Sequence, residues 1–235
     1  MRFLIVLRKR AALIGILVLC IGFCCAARAL ACLQAMPEEP LCSVKTVQNA
    51  AAVTFDADTD AEQIPAILRA LRSKNVKATF FVTGVWTEKY PRTLRQIEQE
   101  GHEIGCHGDL HRDLTAMTEE QQRQDLVACC KKIKAACGVE PKWLRPPYRR
   151  WNDALLRQAH ELGLHLADCS AMTDDWRNVA PAVISEQAIN RLQPGGILLL
   201  NCSGLNTATA LPHILQALQS RGTSLCTVSQ LAALA

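Results

Sequence analysis

The sequence predicts an α/β domain built on parallel strands, and three observations predict it. Seven short apolar runs of strand length alternate with six longer stretches whose apolar residues recur at helical spacing. Gly101, Gly138 and Gly163 follow helical stretches, at the place where a left-handed residue ends a helix. Four polar clusters stand at strand ends, and in a barrel of alternating strands and helices such ends converge on one mouth.

In order, the strand-sized runs are Ala51–Phe55, Ala78–Val82, Glu103–Cys106, Trp143–Leu144, Leu164–Ala167, Gly196–Leu200 and Ser224–Val228. The helical stretches are Ala61–Ser73, Glu88–Glu100, Thr118–Ala136, Asn152–Leu162, Pro181–Leu192 and Thr207–Arg221. Thr118-Glu119-Glu120-Gln121 has the form of a capping box. This alternation indicates parallel strands closing towards a barrel, although pattern alone does not separate a barrel from an open doubly wound sheet.

The N-terminus reads differently. Arg2, Arg8, Lys9 and Arg10 precede an uncharged run, Ala11 to Ala27, then Arg28 and the small-residue pattern Ala29-Leu30-Ala31. Residues 1–31 are therefore expected to be a secretory signal peptide or, uncleaved, a membrane anchor. Cys32 raises a lipid anchor as a third option, which Ala29 disfavours. Residues 32–47, with Pro37-Glu38-Glu39-Pro40, read as a linker, and 48–232 as one domain. The expected location is outside the cytoplasm, secreted or held at the membrane.

The formal charge of +4 belongs mostly to this leader. Without its five basic residues, 21 basic residues face 22 acidic ones, so no basic stripe suggests nucleic acid. No G-x-G-x-x-G or P-loop text follows a strand, which excludes a nucleotide cofactor. Of twelve cysteines, nine lie from Cys32 onward, an odd number that cannot all pair within the chain. Cys129, Cys130 and Cys137 read as small apolar packing residues of a helix. Cys106, Cys169 and Cys202 fall at strand ends, where they could meet.

Asp56, in Thr54-Phe55-Asp56, is placed to act as a base towards water or to cap the following helix. His107 and His111, four apart, place two imidazoles on one face of a helical turn and suit a divalent metal such as zinc. Arg145-Pro146-Pro147-Tyr148 is a rigid turn that holds a guanidinium fork or simply exposes an arginine. Trp176, after Asp175, walls a sugar site or fills a core.

Taken in order and spacing, these clusters resemble the polysaccharide deacetylase family (NodB homology, carbohydrate esterase family 4) over about Ala50 to Leu231. Asn75 to Gly84 is similar to the family's second-strand signature. Gly101-His102-Glu103-Ile104-Gly105 and Leu114 flank the histidines at its spacing. The resemblance implies a distorted (β/α)7 barrel, a divalent metal (zinc foremost), and hydrolysis of N-acetyl groups on an envelope glycan, peptidoglycan or chitin-like. It makes Asp56 the catalytic base, Arg145 its orienting partner, the Tyr148 backbone N–H an oxyanion donor and Asp175 a further catalytic group. It assigns His107 and His111 to the metal, and Pro147, Trp176 and Asn201 to substrate.

Two positions depart from the family. Ala57 stands where a metal-binding Asp belongs, leaving Asp58 or Asp60 to substitute only by bending the loop. Asn201 replaces the His that serves as general acid, and an amide does not donate a proton as an imidazolium does. The earlier Asp of the D-x-x-D-W motif falls at Met172, and Gly108 replaces a small hydroxyl residue. The rival expectation is a non-catalytic descendant that binds glycan or organises an envelope assembly.

Overall fold

The computed structural model describes residues 39–235, so the expected leader and the start of the linker lie outside the described residues. Eight strands are found among them: β1 Ala50–Ala57, β2 Thr79–Val82, β3 Glu103–Cys106, β4 Trp143–Leu144, β5 His165–Leu166, β6 Ala171–Met172, β7 Ile197–Asn201 and β8 Ser224–Cys226. They form one curled parallel sheet in the order β5-β4-β3-β2-β1-β7-β6. β8 pairs with the first half of β1, through Ala50 to Ala52, and β2 with its second half, through Thr54 to Ala57. This is the distorted (β/α)7 barrel that the motifs implied.

The helices are α1 Ile64–Ser73, α2 Gly84–Lys89, α3 Pro91–Gln99, α4 Glu119–Cys137, α5 Asp153–Glu161, α6 Pro181–Arg191, α7 Thr207–Ser220 and α8 Val228–Ala232. α4 opens with the capping box read in the sequence and ends at left-handed Gly138.

Strand β1 shows how the sequence positions the site. Side chains alternate across a strand, so Ala51, Val53, Phe55 and Ala57 enter the core between sheet and helices. Ala50 and Ala52 enter a second core inside the barrel, with Phe81, Trp143, Ile197 and Leu199. The same alternation puts Thr54 and Asp56 on the interior face.

Four expectations change. The helix over Glu88–Glu100 is two helices, α2 and α3, broken at Tyr90 (φ −126°, ψ 48°) because Pro91 disfavours helical geometry in the preceding residue. Strand β6 is additional; at two residues it leaves no apolar run to read. The last strand stops at Cys226, because Thr227 caps α8 with its side chain.

Part of the expected linker belongs to the fold. Leu41 bridges Ala167 and Ser43 bridges Gly196, so residues 41–44 lie along the seam between the two ends of the sheet. Backbone bonds from Leu41 to Leu166 (2.9 Å), Asp168 to Leu41 (3.0 Å) and Val44 to Gly195 (2.8 Å) fix them. Sheet edges left open otherwise expose unpaired backbone groups.

Candidate active site

Asp56 is the penultimate residue of β1 and lies directly beside Asn201, its register partner on β7. Arg145, after β4, donates from Nη1 to Asp56 Oδ1 at 2.8 Å and from Nη2 to the Asp168 carbonyl at 3.1 Å. Its guanidinium lies 4.2 Å over the Phe81 ring and is wholly buried. A buried arginine is retained where its charge is paired; here both Nη groups are bonded and Nε has no partner among the described residues. The pair fixes one carboxylate oxygen and leaves Oδ2 towards His107.

His107 Nδ1 lies 2.7 Å from the Arg145 carbonyl. A carbonyl only accepts, so Nδ1 carries a proton and Nε2 is the nitrogen turned to the site. Nε2 faces Asp56 Oδ2 at 3.8 Å. His111 Nε2 lies 3.5 Å from Asp58 Oδ2, and the two imidazole centroids are 5.0 Å apart. Burial, then His107, pushes the His111 imidazole below its ordinary value and so favours the neutral form that binds metal.

The histidines are not on a helical turn, as their spacing suggested. Residues 107–111 form a loop, with Gly108 at φ +75° and His111 at φ +52°. A β-carbon at Gly108 would meet Asp125 Oδ1 at 3.1 Å, and that oxygen accepts the Asp109 N–H at 2.7 Å. A hydroxyl side chain here would crowd Asp125 and be strained at this φ.

Asp58 reaches the site without the loop bend expected of it. β1 stays extended through Ala57, so residues 56 and 58 share a face and Ala57 points into the outer core. Among the described residues no three His, Cys, Asp or Glu side chains close around one point. The donors meet in pairs, at separations near the roughly 3.4 Å edge of a tetrahedral ion with bonds of about 2.1 Å. The two imidazoles and the Asp58 carboxylate are nitrogen and oxygen donors of the kinds that a divalent ion takes.

Tyr148 adopts φ +58°, and among the described residues its backbone N–H finds no acceptor. It is placed to donate to a developing oxyanion. Pro146, rather than Pro147, lines the cavity; Pro147 is buried behind the histidine loop, its ring against Gly108. Extended geometry at Pro146 (φ −66°, ψ 140°) turns successive rings to different sides.

Asp175 is fully buried and outside the cavity lining; it accepts from Asn201, Thr207 and the Trp176 backbone. Burial raises its carboxyl above the ordinary value, and these hydrogen bonds pull it back. Asp175 reaches the cavity through Asn201 and the Trp176 backbone, and it holds both in place. Trp176 is 53% exposed, which decides against a core role.

The cavity, of about 420 Å³, is lined by Asp56, Asp58, His107, His111, Asn201 and Trp176 among others. It also includes Arg149, Met172 and Leu199, which no motif indicated. Arg149 had a signal, a second basic residue directly after the turn. Cys106 does not join Cys169 and Cys202; its thiol meets Cys129 and Cys130 from α4. All eight cysteines of the described residues are free.

The polysaccharide deacetylase family model matches residues 43–167, and the chain belongs to that family. A peptidoglycan-N-acetylglucosamine deacetylase of Bacillus cereus is 32% identical over 181 residues, 75% of this chain and 66% of the relative. A crystal structure of the Bc1960 peptidoglycan N-acetylglucosamine deacetylase, 30% identical, superposes with TM-score 0.78 over 80% of this chain and 90% of that one. A mutant of BA3943 from Bacillus anthracis, a CE4 family pseudoenzyme with restored enzymatic activity, gives TM-score 0.81 at 25% identity, over 85% and 73%. The chain spans 66%, 62% and 41% of the length of three curated relatives that it matches.

Proposed function

We propose that this chain is an exported, metal-dependent hydrolase that removes N-acetyl groups from amino sugars of an envelope glycan. The observation that carries the reading is the Asp56 carboxylate, one oxygen gripped by buried Arg145 and the other turned towards His107. A divalent ion, zinc foremost, held by His107, His111 and Asp58 would supply Lewis-acid polarisation of the acetamide carbonyl.

The chain's own residues do the rest. Asp56 Oδ2 takes the proton of an attacking water, while Arg145 keeps the carboxylate in place. The Tyr148 N–H donates to the oxyanion as the tetrahedral centre forms. Trp176 and Tyr148, both exposed at the mouth, pack against sugar rings. The leaving amine then recovers a proton from Asp56 or from water, since Asn201 has none to give. The basic, then apolar, N-terminus supports export and a place at or beyond the membrane.

A second reading has its own observation. Asn201 occupies the acid position, tied to Asp175, and BA3943 is a pseudoenzyme of the same fold. On that reading the cavity binds glycan without cleaving it. Acetate release from N-acetylglucosamine oligomers, with and without chelator, separates the two. The hydrolase reading expects chelator-sensitive release that falls at least about 100-fold in Asp56→Asn. Glycan binding without release in the zinc-loaded chain sinks it.

A further inference from the structure

Arg149 lines the cavity but has no part in the chemistry proposed for it. It follows Tyr148 and shares its left-handed backbone, with φ +58°, a conformation that a long side chain rarely adopts. Backbone strain of this kind persists where the surroundings over-determine it, and it clusters at ligand sites. Asp168 supplies the restraint. Arg149 donates from Nε to Asp168 Oδ1 at 2.5 Å and from Nη2 to Oδ2 at 3.1 Å. Asp168 is itself buried, and its carbonyl also receives Arg145. The second arginine is thus locked to the residue that steadies the first.

The lock leaves donors over. A guanidinium has five N–H groups in a fixed fork, and Asp168 takes two along one side. Nη1 meets only the Met172 sulfur, at 3.1 Å, among the described residues, and a thioether is a weak acceptor. Met172 stands where the family motif carries an acid, so a carboxylate that would compete for this edge is missing. Asp168 offsets the charge of Arg149 but not its second pair of donors. Both Arg149 and Met172 line the cavity, together with Pro146, Tyr148, Trp176 and Leu199. In such surroundings a charge-assisted fork is worth more than in water. The other carboxylates of the cavity are occupied, Asp56 by Arg145 and Asp58 beside His111.

We infer that the free edge of Arg149 is a carboxylate-recognition subsite, and that the substrate is a glycan whose N-acetylated unit bears a carboxylate. This rests on the glycan reading of the same cavity.

The test is binding by calorimetry to the full zinc-loaded chain, which needs no turnover. The probes are an oligomer of alternating N-acetylglucosamine and N-acetylmuramic acid, the same oligomer with its carboxylates amidated, and an N-acetylglucosamine oligomer of equal length. The acid form is expected to bind at least about tenfold more tightly than the amide form, the worth of one charge-assisted pair. That ratio should fall towards one in Arg149→Gln and remain partly in Arg149→Lys. Equal binding of acid and amide forms overturns the inference, as does a ratio unchanged in a folded Arg149→Gln. Because the amide comparison uses the unmodified chain, it stands even if the variants do not fold. Failure of all three oligomers to bind overturns the glycan reading itself.

Discussion

Asp175 holds Asn201 at two points: Oδ2 accepts the Asn201 backbone N–H at 2.7 Å, and Oδ1 accepts the side-chain Nδ2 at 2.8 Å. A carboxylate offers only acceptors, so the amide nitrogen must face it and the amide oxygen is left for the cavity. The device that would hold an imidazole in place is therefore intact, while the group that it holds is no acid.

Asn201→His should accordingly raise acetate release. The new imidazole would find the Asp175 carboxylate already placed to orient it and favour its protonated form. General acid catalysis typically contributes about 10²–10⁴-fold, so a gain of roughly tenfold is expected even with imperfect alignment. Acetate release at saturating oligomer decides it; no gain in a folded, zinc-loaded variant means that the acid is not the limiting defect.

Ala57→Asp should not repair the metal site. Ala57 is fully buried and faces the outer core, so an aspartate there enters apolar surroundings unpaired. The expected cost is ~3 kcal/mol or more, a fall in Tm of roughly 6–12 °C. Asp58→Ala, by contrast, should leave Tm nearly unchanged and weaken zinc binding by at least about tenfold. Calorimetric titration of zinc and thermal melts on both variants check the assignment. Zinc affinity unaltered in Asp58→Ala would remove Asp58 from the ligand set.

Arg145→Met should be costly for stability as well as for chemistry. It strips the partner from a nearly buried Asp56 carboxylate, a change worth about 3–5 kcal/mol when one half of a buried pair is removed. A double-mutant cycle with Asp56→Asn measures the coupling. Additive losses would show that the two side chains do not act as a unit.

Acid should weaken the fold through His102. Burial, then Lys77, lowers its pKa from 6.5 to about 4, and its Nδ1 accepts the Ala78 N–H at 3.2 Å. The unfolded chain takes up a proton as pH falls below about 6.5, whereas the native state resists until about 4. This contribution to stability is whole above about pH 6.5 and is lost as pH falls through that window. His102→Asn keeps an acceptor near Ala78 without the titration. Its urea midpoint should fall less than that of the parent between pH 7 and pH 4.5, and parallel curves would contradict the assignment.

Much of the fold and of the site is legible in the chain itself, because strand alternation, helix caps and motif spacing are written locally. Asp56, the histidine pair and Trp176 all stand at the mouth that the strand ends imply, and Arg145 is buried behind Asp56. Asp58 is legible as a candidate, but not its route, since that depends on how far β1 stays extended. The break at Tyr90 and Pro91 is legible in principle, for proline constrains the residue before it. Strand β6 is not, because its pairing with β7, and no local pattern, defines it.

The sequence by itself determined the alternation of parallel strands and helices, the order of its motifs and the identity of the two altered positions, for these depend on residue type and order. Tertiary structure decided what those residues do. It turned Ala57 into the core and Asp58 to the mouth, bound Asn201 to Asp175, drew residues 41–44 along the seam and locked Arg149 onto Asp168. Each of these rests on pairings between segments far apart in the chain, where side-chain direction follows from strand register and packing, and no local pattern records it.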